Sequence, residues 1–282
     1  MSELDAIVLD LDGGEALGDL LRSMERQTLP FGRIILWDNG SRVPLAQRVP
    51  ATSLPVEVHR SETNLGFAGG VNGAMRFSKA PLVAWINNDV RLEPRWLETM
   101  IEAMRDEALA AVQSIIARED GRIDGAGITI AGGTFRQRGH SLPIGAPLTD
   151  RLWGVSATAA LYRRAALESV SRGDEFLDER FFAYYEDVEL AARLAAAGWS
   201  AQVVEQPLAF HRGSMSESQI DSARLRTRNR YLVRRLHPEV GSFGALLKED
   251  AREILRLAAK GRIGRIARIK LAVFEGMFRR LK

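Results

Sequence analysis

No cysteine occurs in this chain of 282 residues, which excludes disulfides, thiolate nucleophiles and cysteine-held metals. Apolar runs are short, and none nears the ~20 residues a membrane-spanning helix needs. The opening MSELDAIVLDLDGG is acidic and lacks the charged-then-apolar pattern of a secretory leader. A cytoplasmic location is expected, with peripheral attachment at the inner face of the cell membrane as a further option. There are no internal repeats and no low-complexity linker.

The hydrophobic fraction of 46% is ample for a core. The length suits one large α/β domain with an appendage. A net charge of +3 hides an asymmetry: residues 222–282 hold 17 Lys and Arg against 5 Asp and Glu, a net +12, so residues 1–221 carry −9. The expected organisation is a catalytic domain over 1–221 and a basic helical extension over 222–282. A basic tail suits an anionic partner, with a solvated helical surface as the plain alternative. It has little of the aromatic interleaving that stacks nucleobases, so no nucleic-acid partner is expected.

Short apolar strands alternate with amphipathic helices. Strands are predicted at Ala6–Leu9, Arg33–Trp37, Val56–Arg60, Leu82–Ile86, Ala110–Ile116 and Ser200–Val204. Helices are predicted at about Glu15–Gln27, Gly70–Lys79, the segment following Pro94, and Glu186–Ala197. Such alternation implies a mostly parallel sheet flanked by helices, whose ligands lie beyond the carboxyl ends of the strands. Asp38 and Asp89 both follow an apolar strand. In the tail, Leu246, Leu247, Ile254, Leu255 and Ala258 give one helix an apolar face. A second run over 262–281 interleaves Ile263, Ile266, Ile269, Phe274, Met277 and Phe278 with Arg and Lys. That run can lie on an anionic membrane surface, or dock on the catalytic domain or on a second subunit in a homodimer.

Each short motif has a structural and a functional reading. Asp38-Asn39-Gly40-Ser41 suits an Asx turn, and a carboxylate at a strand tip can also accept the N3–H of uracil or thymine. Asn64-Leu65-Gly66-Phe67-Ala68-Gly69-Gly70 is a glycine-rich turn into a helix, where free N–H groups suit a diphosphate. Asn87-Asn88-Asp89 caps a strand. Glu186-Asp187 follows the aromatic run Phe181-Phe182-Ala183-Tyr184-Tyr185 and opens a helix, where acids gain from the dipole. His211 stands alone beyond the last predicted strand.

In this order and spacing the motifs resemble the inverting family-two glycosyltransferases, especially the rhamnosyltransferase-like branch, from roughly Ile34 to Tyr231. The resemblance implies a GT-A type, Rossmann-like α/β fold and transfer of a sugar, with rhamnose the leading case from the branch, from a dTDP or UDP donor to a glycan or lipid-linked glycan. It implies Asp38, Asn64, Gly66, Gly69, Gly70, Asn88 and Arg228 at the donor, and Asp89 with His211 on Mg or Mn. Asp187 is implied as general base, beside Glu186. The usual Thr-Tyr-Asn of the first strand is replaced by Asp10-Leu11-Asp12, which keeps a second reading open: a transferase-like module that binds glycan or protein without catalysis. A sugar-nucleotide pyrophosphorylase would need a basic loop where Asp10–Gly14 is acidic.

Overall fold

The structure is a computed structural model that describes residues 4–212 and 221–278. Its elements run β1 (Leu4–Asp10), α1 (Gly14–Glu25), β2 (Ile34–Asp38), β3 (Val56–Arg60), α2 (Gly66–Met75), β4 (Leu82–Asn87), β5 (Val90–Leu92) and α3 (Trp96–Ala103). There follow β6 (Leu109–Ala117), β7 (Ile123–Gly125), β8 (Ile128–Ala131), β9 (Thr134–Gln137), β10 (Ala159–Arg163), α4 (Arg164–Val170), α5 (Glu186–Ala196) and β11 (Ser200–His211). The helices α6 (Ser222–Leu236), α7 (Phe243–Ala259) and α8 (Ile263–Phe278) complete the described chain.

The main sheet has the order β3-β2-β1-β4-β10-β6-β11-β5, with β7 beside β6. Strands β3, β2, β1 and β4 are parallel, and β11 is parallel to β6. Strand β10 is inserted antiparallel between β4 and β6. Period-two alternation divides the strands between two cores. Ala6, Val8, Ile34, Leu36, Ala84 and Ile86 face α1 and α3, while Ile7, Ile35, Trp37, Val83 and Trp85 face α2, α4 and α5. Burying each large aliphatic side chain is worth about 1.5–3 kcal/mol, so a one-residue slip of a strand would exchange the cores and is excluded energetically.

The largest departures from the expected boundaries are at α2 and β11. Helix α2 begins at Gly66 rather than Gly70, because the glycines lie inside its first turns. Strand β11 runs on to His211, with register shifts on both sides of Pro207; a proline without an N–H interrupts the ladder but does not end the strand.

The basic helices share a core with the sheet domain: Leu232, Val233 and Val240 pack with Phe181, Val188 and Ala192. Tyr231 Oη donates to Asp250 Oδ2 at 2.5 Å, joining α6 to α7. On α8 the buried residues are the small ones, Ala272 and Gly276, against α6.

Candidate active site

The parallel register aligns Asp10 with Asp38 and Leu9 with Asn87, so β1, β2 and β4 end at one level. A cavity of about 670 Å³ opens there, beyond the carboxyl ends of the strands as the topology requires. Its wall includes Asp10, Asn64, Gly66, Asn88, Asp89, Glu186, Asp187 and His211, together with Asp124 and Arg226. Segments far apart in sequence thus meet around one space.

Four residues expected at the donor are not in that wall: Asp38, Gly69, Gly70 and Arg228. Asp38 is fully buried. Its Oδ1 accepts from Ser41 N at 2.8 Å, and its Oδ2 accepts from Leu45 N at 2.8 Å and from Arg60. Burial opposes its charge, but the Leu45 and Ser41 donors and Arg60 outweigh burial and hold the carboxyl below its usual value. It has become an internal brace, the Asx-type role in extended form.

The start of α2 is closed in a similar way. Gly66 N donates to Asn64 Oδ1 at 2.8 Å, Leu65 N to Asn39 Oδ1 at 3.2 Å, and Ala68 N to Phe182 O at 3.1 Å. These N–H groups have protein acceptors and are not held open for a diphosphate. The glycines serve close packing instead. Gly66 has φ +72°, and a Cβ there would overlap Phe182 O; on Gly70 a Cβ would come within 2.5 Å of Leu9 Cδ2.

Asp10 and Asp12 are neutralised locally. Asp10 pairs with Arg48 and accepts from Asn88 Nδ2 at 2.8 Å. Asp12 accepts from Arg42 N at 3.0 Å and Arg42 Nε at 3.1 Å. Neither adds an uncompensated charge against a phosphate group.

Asp89 and His211 converge: His211 Nε2 lies 3.2 Å from Asp89 Oδ2, and its Nδ1 lies 2.8 Å from Asp124 Oδ2. Asp124, on β7, was not expected, since an acid in a three-residue strand within a glycine-rich stretch carries no sequence signal. Burial opposes protonation of His211, but Asp124 and Asp89 outweigh it and raise its pKa to about 10. Among the described residues no group of three or more His, Asp or Glu forms a complete metal cage. With His211 Nε2 deprotonated, as metal binding requires, the pair fits a partial one. Two donors about 2.1 Å from one ion at right angles stand about 3 Å apart, and Mg typically takes one or two protein ligands, with substrate phosphates and water supplying the rest.

Glu186 and Asp187 open α5. Asp187 Oδ1 accepts from Val188 N at 2.8 Å and Oδ2 from Ala157 N at 3.4 Å. Burial pushes its pKa up against these bonds. Glu186 is 6% exposed and its Oε2 has no hydrogen-bond partner; burial first, then the Asp187 charge, push it well above the carboxylate range. The folded state therefore holds this proton more tightly than the unfolded chain, and stability is lost as pH rises from the unfolded toward the folded pKa. Glu186→Gln is expected to raise Tm by roughly 2–4 °C at pH 8, with no gain below about pH 4. Paired thermal melts across that range check it; equal melting at pH 8 would contradict the assignment.

The loop before α5 presents Phe182, Tyr184 and Tyr185 to the cavity, while Phe181 is core. Arg228 Nη2 donates to Arg180 O at 2.6 Å and Phe181 O at 3.0 Å, so this arginine grips backbone. Arg226 is the one from that segment that reaches the cavity, with its guanidinium 4.4 Å from the Tyr184 ring centroid.

The Sinorhizobium fredii "Uncharacterized protein y4gI" is 25% identical over 219 residues, 72% of this chain and 24% of that protein. The Myxococcus xanthus "O-antigen biosynthesis protein RfbC" is 27% identical over 157 residues, 51% of this chain and 12% of that protein. This chain thus spans a quarter or less of their lengths. Among solved structures, S. aureus TarS 1–349 in complex with UDP-GlcNAc superposes with TM-score 0.61 at 20% identity, covering 84% of this chain and 65% of that one. TarS 1–349 with UDP gives 0.56 at 19%, covering 81% and 65%. These structures share the GT-A type fold. The pattern named glycosyl transferase family 2 matches residues 12–171, more than half of the chain, and the chain belongs to that family.

Proposed function

We propose that this protein is a metal-dependent inverting glycosyltransferase that moves a sugar from UDP or dTDP to a hydroxyl of a glycan or lipid-linked glycan. The observation that carries the reading is the joining, in one cavity, of the Asp89–His211 pair with the Glu186–Asp187 pair. Asp187 takes the proton of the acceptor hydroxyl. The new bond forms from that oxygen to the anomeric carbon as the bond from that carbon to the diphosphate oxygen breaks, with inversion. Asp89 and His211 would hold Mg or Mn, whose chemistry is to neutralise the departing diphosphate. With Asp38 sealed, the base would meet the apolar Leu11 on the cavity wall. UDP is favoured by what the TarS structures contain; rhamnose and a cell-surface glycan rest on the motif resemblance and on RfbC.

Calorimetric titration with UDP and with dTDP, each with and without Mn, tests the reading. One of them should bind in a Mn-dependent manner. Binding of neither, beside binding of a glycan alone, would favour a non-catalytic module.

The acceptor reading extends to α8. Its outer face exposes Ile263 (76%), Leu271 (51%), Phe274 (61%) and Phe278 (64%), with Arg265, Arg268 and Lys270 exposed on the same helix and Arg262 exposed just before it; Arg279, Arg280 and Leu281 lie outside the described residues. No described helix is long and apolar enough to cross a membrane. A helix with apolar groups on the free face and cations beside them suits an anionic bilayer surface, where each Lys or Arg adds about 1 kcal/mol. The 282-residue chain is expected to sediment with anionic liposomes at low salt, and Phe274→Glu to weaken this. Indifference to those liposomes, with a dimer in light scattering, would assign the stripe to a subunit contact.

A further inference from the structure

The loop that delivers Asp187 is held in an unfavourable backbone form. Phe182, Tyr184 and Tyr185 have φ of 64°, 70° and 70°. Non-glycine residues adopt such conformations only at an energetic cost, so the loop keeps this shape only if its surroundings impose it.

The surroundings are specific. Asn229 of α6 is fully buried, and its Nδ2 lies 2.9 Å from Phe181 O, 2.8 Å from Ala183 O and 2.6 Å from Tyr184 O. The two amide hydrogens are thus shared among three carbonyls. Arg228 Nε donates to Asn229 Oδ1 at 2.8 Å, which orients the amide, while Arg228 Nη2 holds Arg180 O and Phe181 O. From α2, Ala68 N donates to Phe182 O at 3.1 Å. A cage of carbonyls accepts only a donor. Asparagine supplies two N–H groups there and an acceptor for Arg228 behind.

We propose that Asn229, supported by Arg228, is a positioning residue that sets the base-bearing loop, so that the C-terminal helices belong to the working site. The proposal rests on reading Asp187 as the base. Asn229 acts on the reaction only through the backbone of 181–184, and so should govern turnover more than donor affinity.

The test uses the full chain with Asn229→Asp, which keeps shape and the acceptor for Arg228 but turns oxygen toward the carbonyls. Hydrogen exchange of peptides spanning 179–190 should rise, while UDP affinity with Mn stays within about threefold. Turnover of whichever UDP- or dTDP-sugar the wild type uses should fall about 10²-fold in kcat with little change in KM, as expected of a base displaced by ~1 Å. Arg228→Lys, less disruptive to folding, should show the same pattern more weakly. Unchanged exchange and kcat in Asn229→Asp would overturn the proposal. So would loss of UDP affinity, exchange protection and kcat together across the whole chain in both variants, since that marks a general structural role. If Asp187→Asn turns over normally while Asn229→Asp shows the predicted pattern, the base assignment fails and the loop clamp stands.

Discussion

Asp187→Asn is expected to lower turnover by about 10²–10⁴-fold, the contribution of a positioned general base, with UDP affinity nearly unchanged. The substitution is close to isosteric, and the amide oxygen can still accept from Val188 N, where Asp187 Oδ1 does so at 2.8 Å. What it removes is the capacity to take a proton. Burial raises the Asp187 pKa, which makes the carboxylate a better base than an exposed one. The wild-type rate should therefore climb with pH through a value above the ordinary carboxylate range, as the base becomes ionised. Glu186 sharpens this coupling, since ionising both carboxyls in one buried space is disfavoured. Steady-state kinetics across pH check both points. An Asp187→Asn enzyme within a few-fold of wild type would remove the base assignment.

Asp89→Ala is expected to act on the other half of the reaction. Mn-dependent UDP affinity should fall by roughly 100-fold or more, because a lone imidazole cannot replace the carboxylate charge on a hard cation. Asp124→Asn should do the same to a lesser degree, about 10–100-fold, as is common for a carboxylate that orients a ligating histidine. His211 Nδ1 is held at 2.8 Å by Asp124, leaving Nε2 turned to Asp89. Calorimetry of each variant with Mn and UDP gives the ranking. Equal losses would contradict the ranking, and an unaffected Asp89→Ala would remove the metal assignment.

The fold was legible wherever the pattern was local. Ile34-Ile35-Leu36-Trp37 reads as a buried strand, and its residues do alternate between two cores. The antiparallel insertion of β10 between β4 and β6 has no such signal, because strand order depends on contacts across the whole chain. The expected strand Ser200–Val204 is the regular part of β11; beyond it the register shifts on both sides of Pro207, and the apolar pattern that marks a strand is lost there although the ladder continues.

At the site, Asn64, Gly66, Asn88, Asp89, Glu186, Asp187 and His211 were read from sequence and do reach one cavity. Their neighbours were less legible. Whether Asp38 faces a ligand depends on Arg60 and the Leu45 amide, partners that no motif announces. Asp124 meets His211 across 87 positions of sequence. The resemblance implies Arg228 at the donor; its Nη2 donates to the carbonyls of Arg180 and Phe181, partners that no motif announces.

The most direct measurement is release of nucleoside diphosphate from a panel of UDP- and dTDP-sugars, with Mn or Mg, in the presence of candidate glycan acceptors. At least one sugar nucleotide should be consumed in a metal-dependent way, with EDTA abolishing release and Asp187→Asn lowering it by about 10²–10⁴-fold. Release that persists undiminished with EDTA and in Asp187→Asn, or no release from any donor by folded protein, would contradict the account.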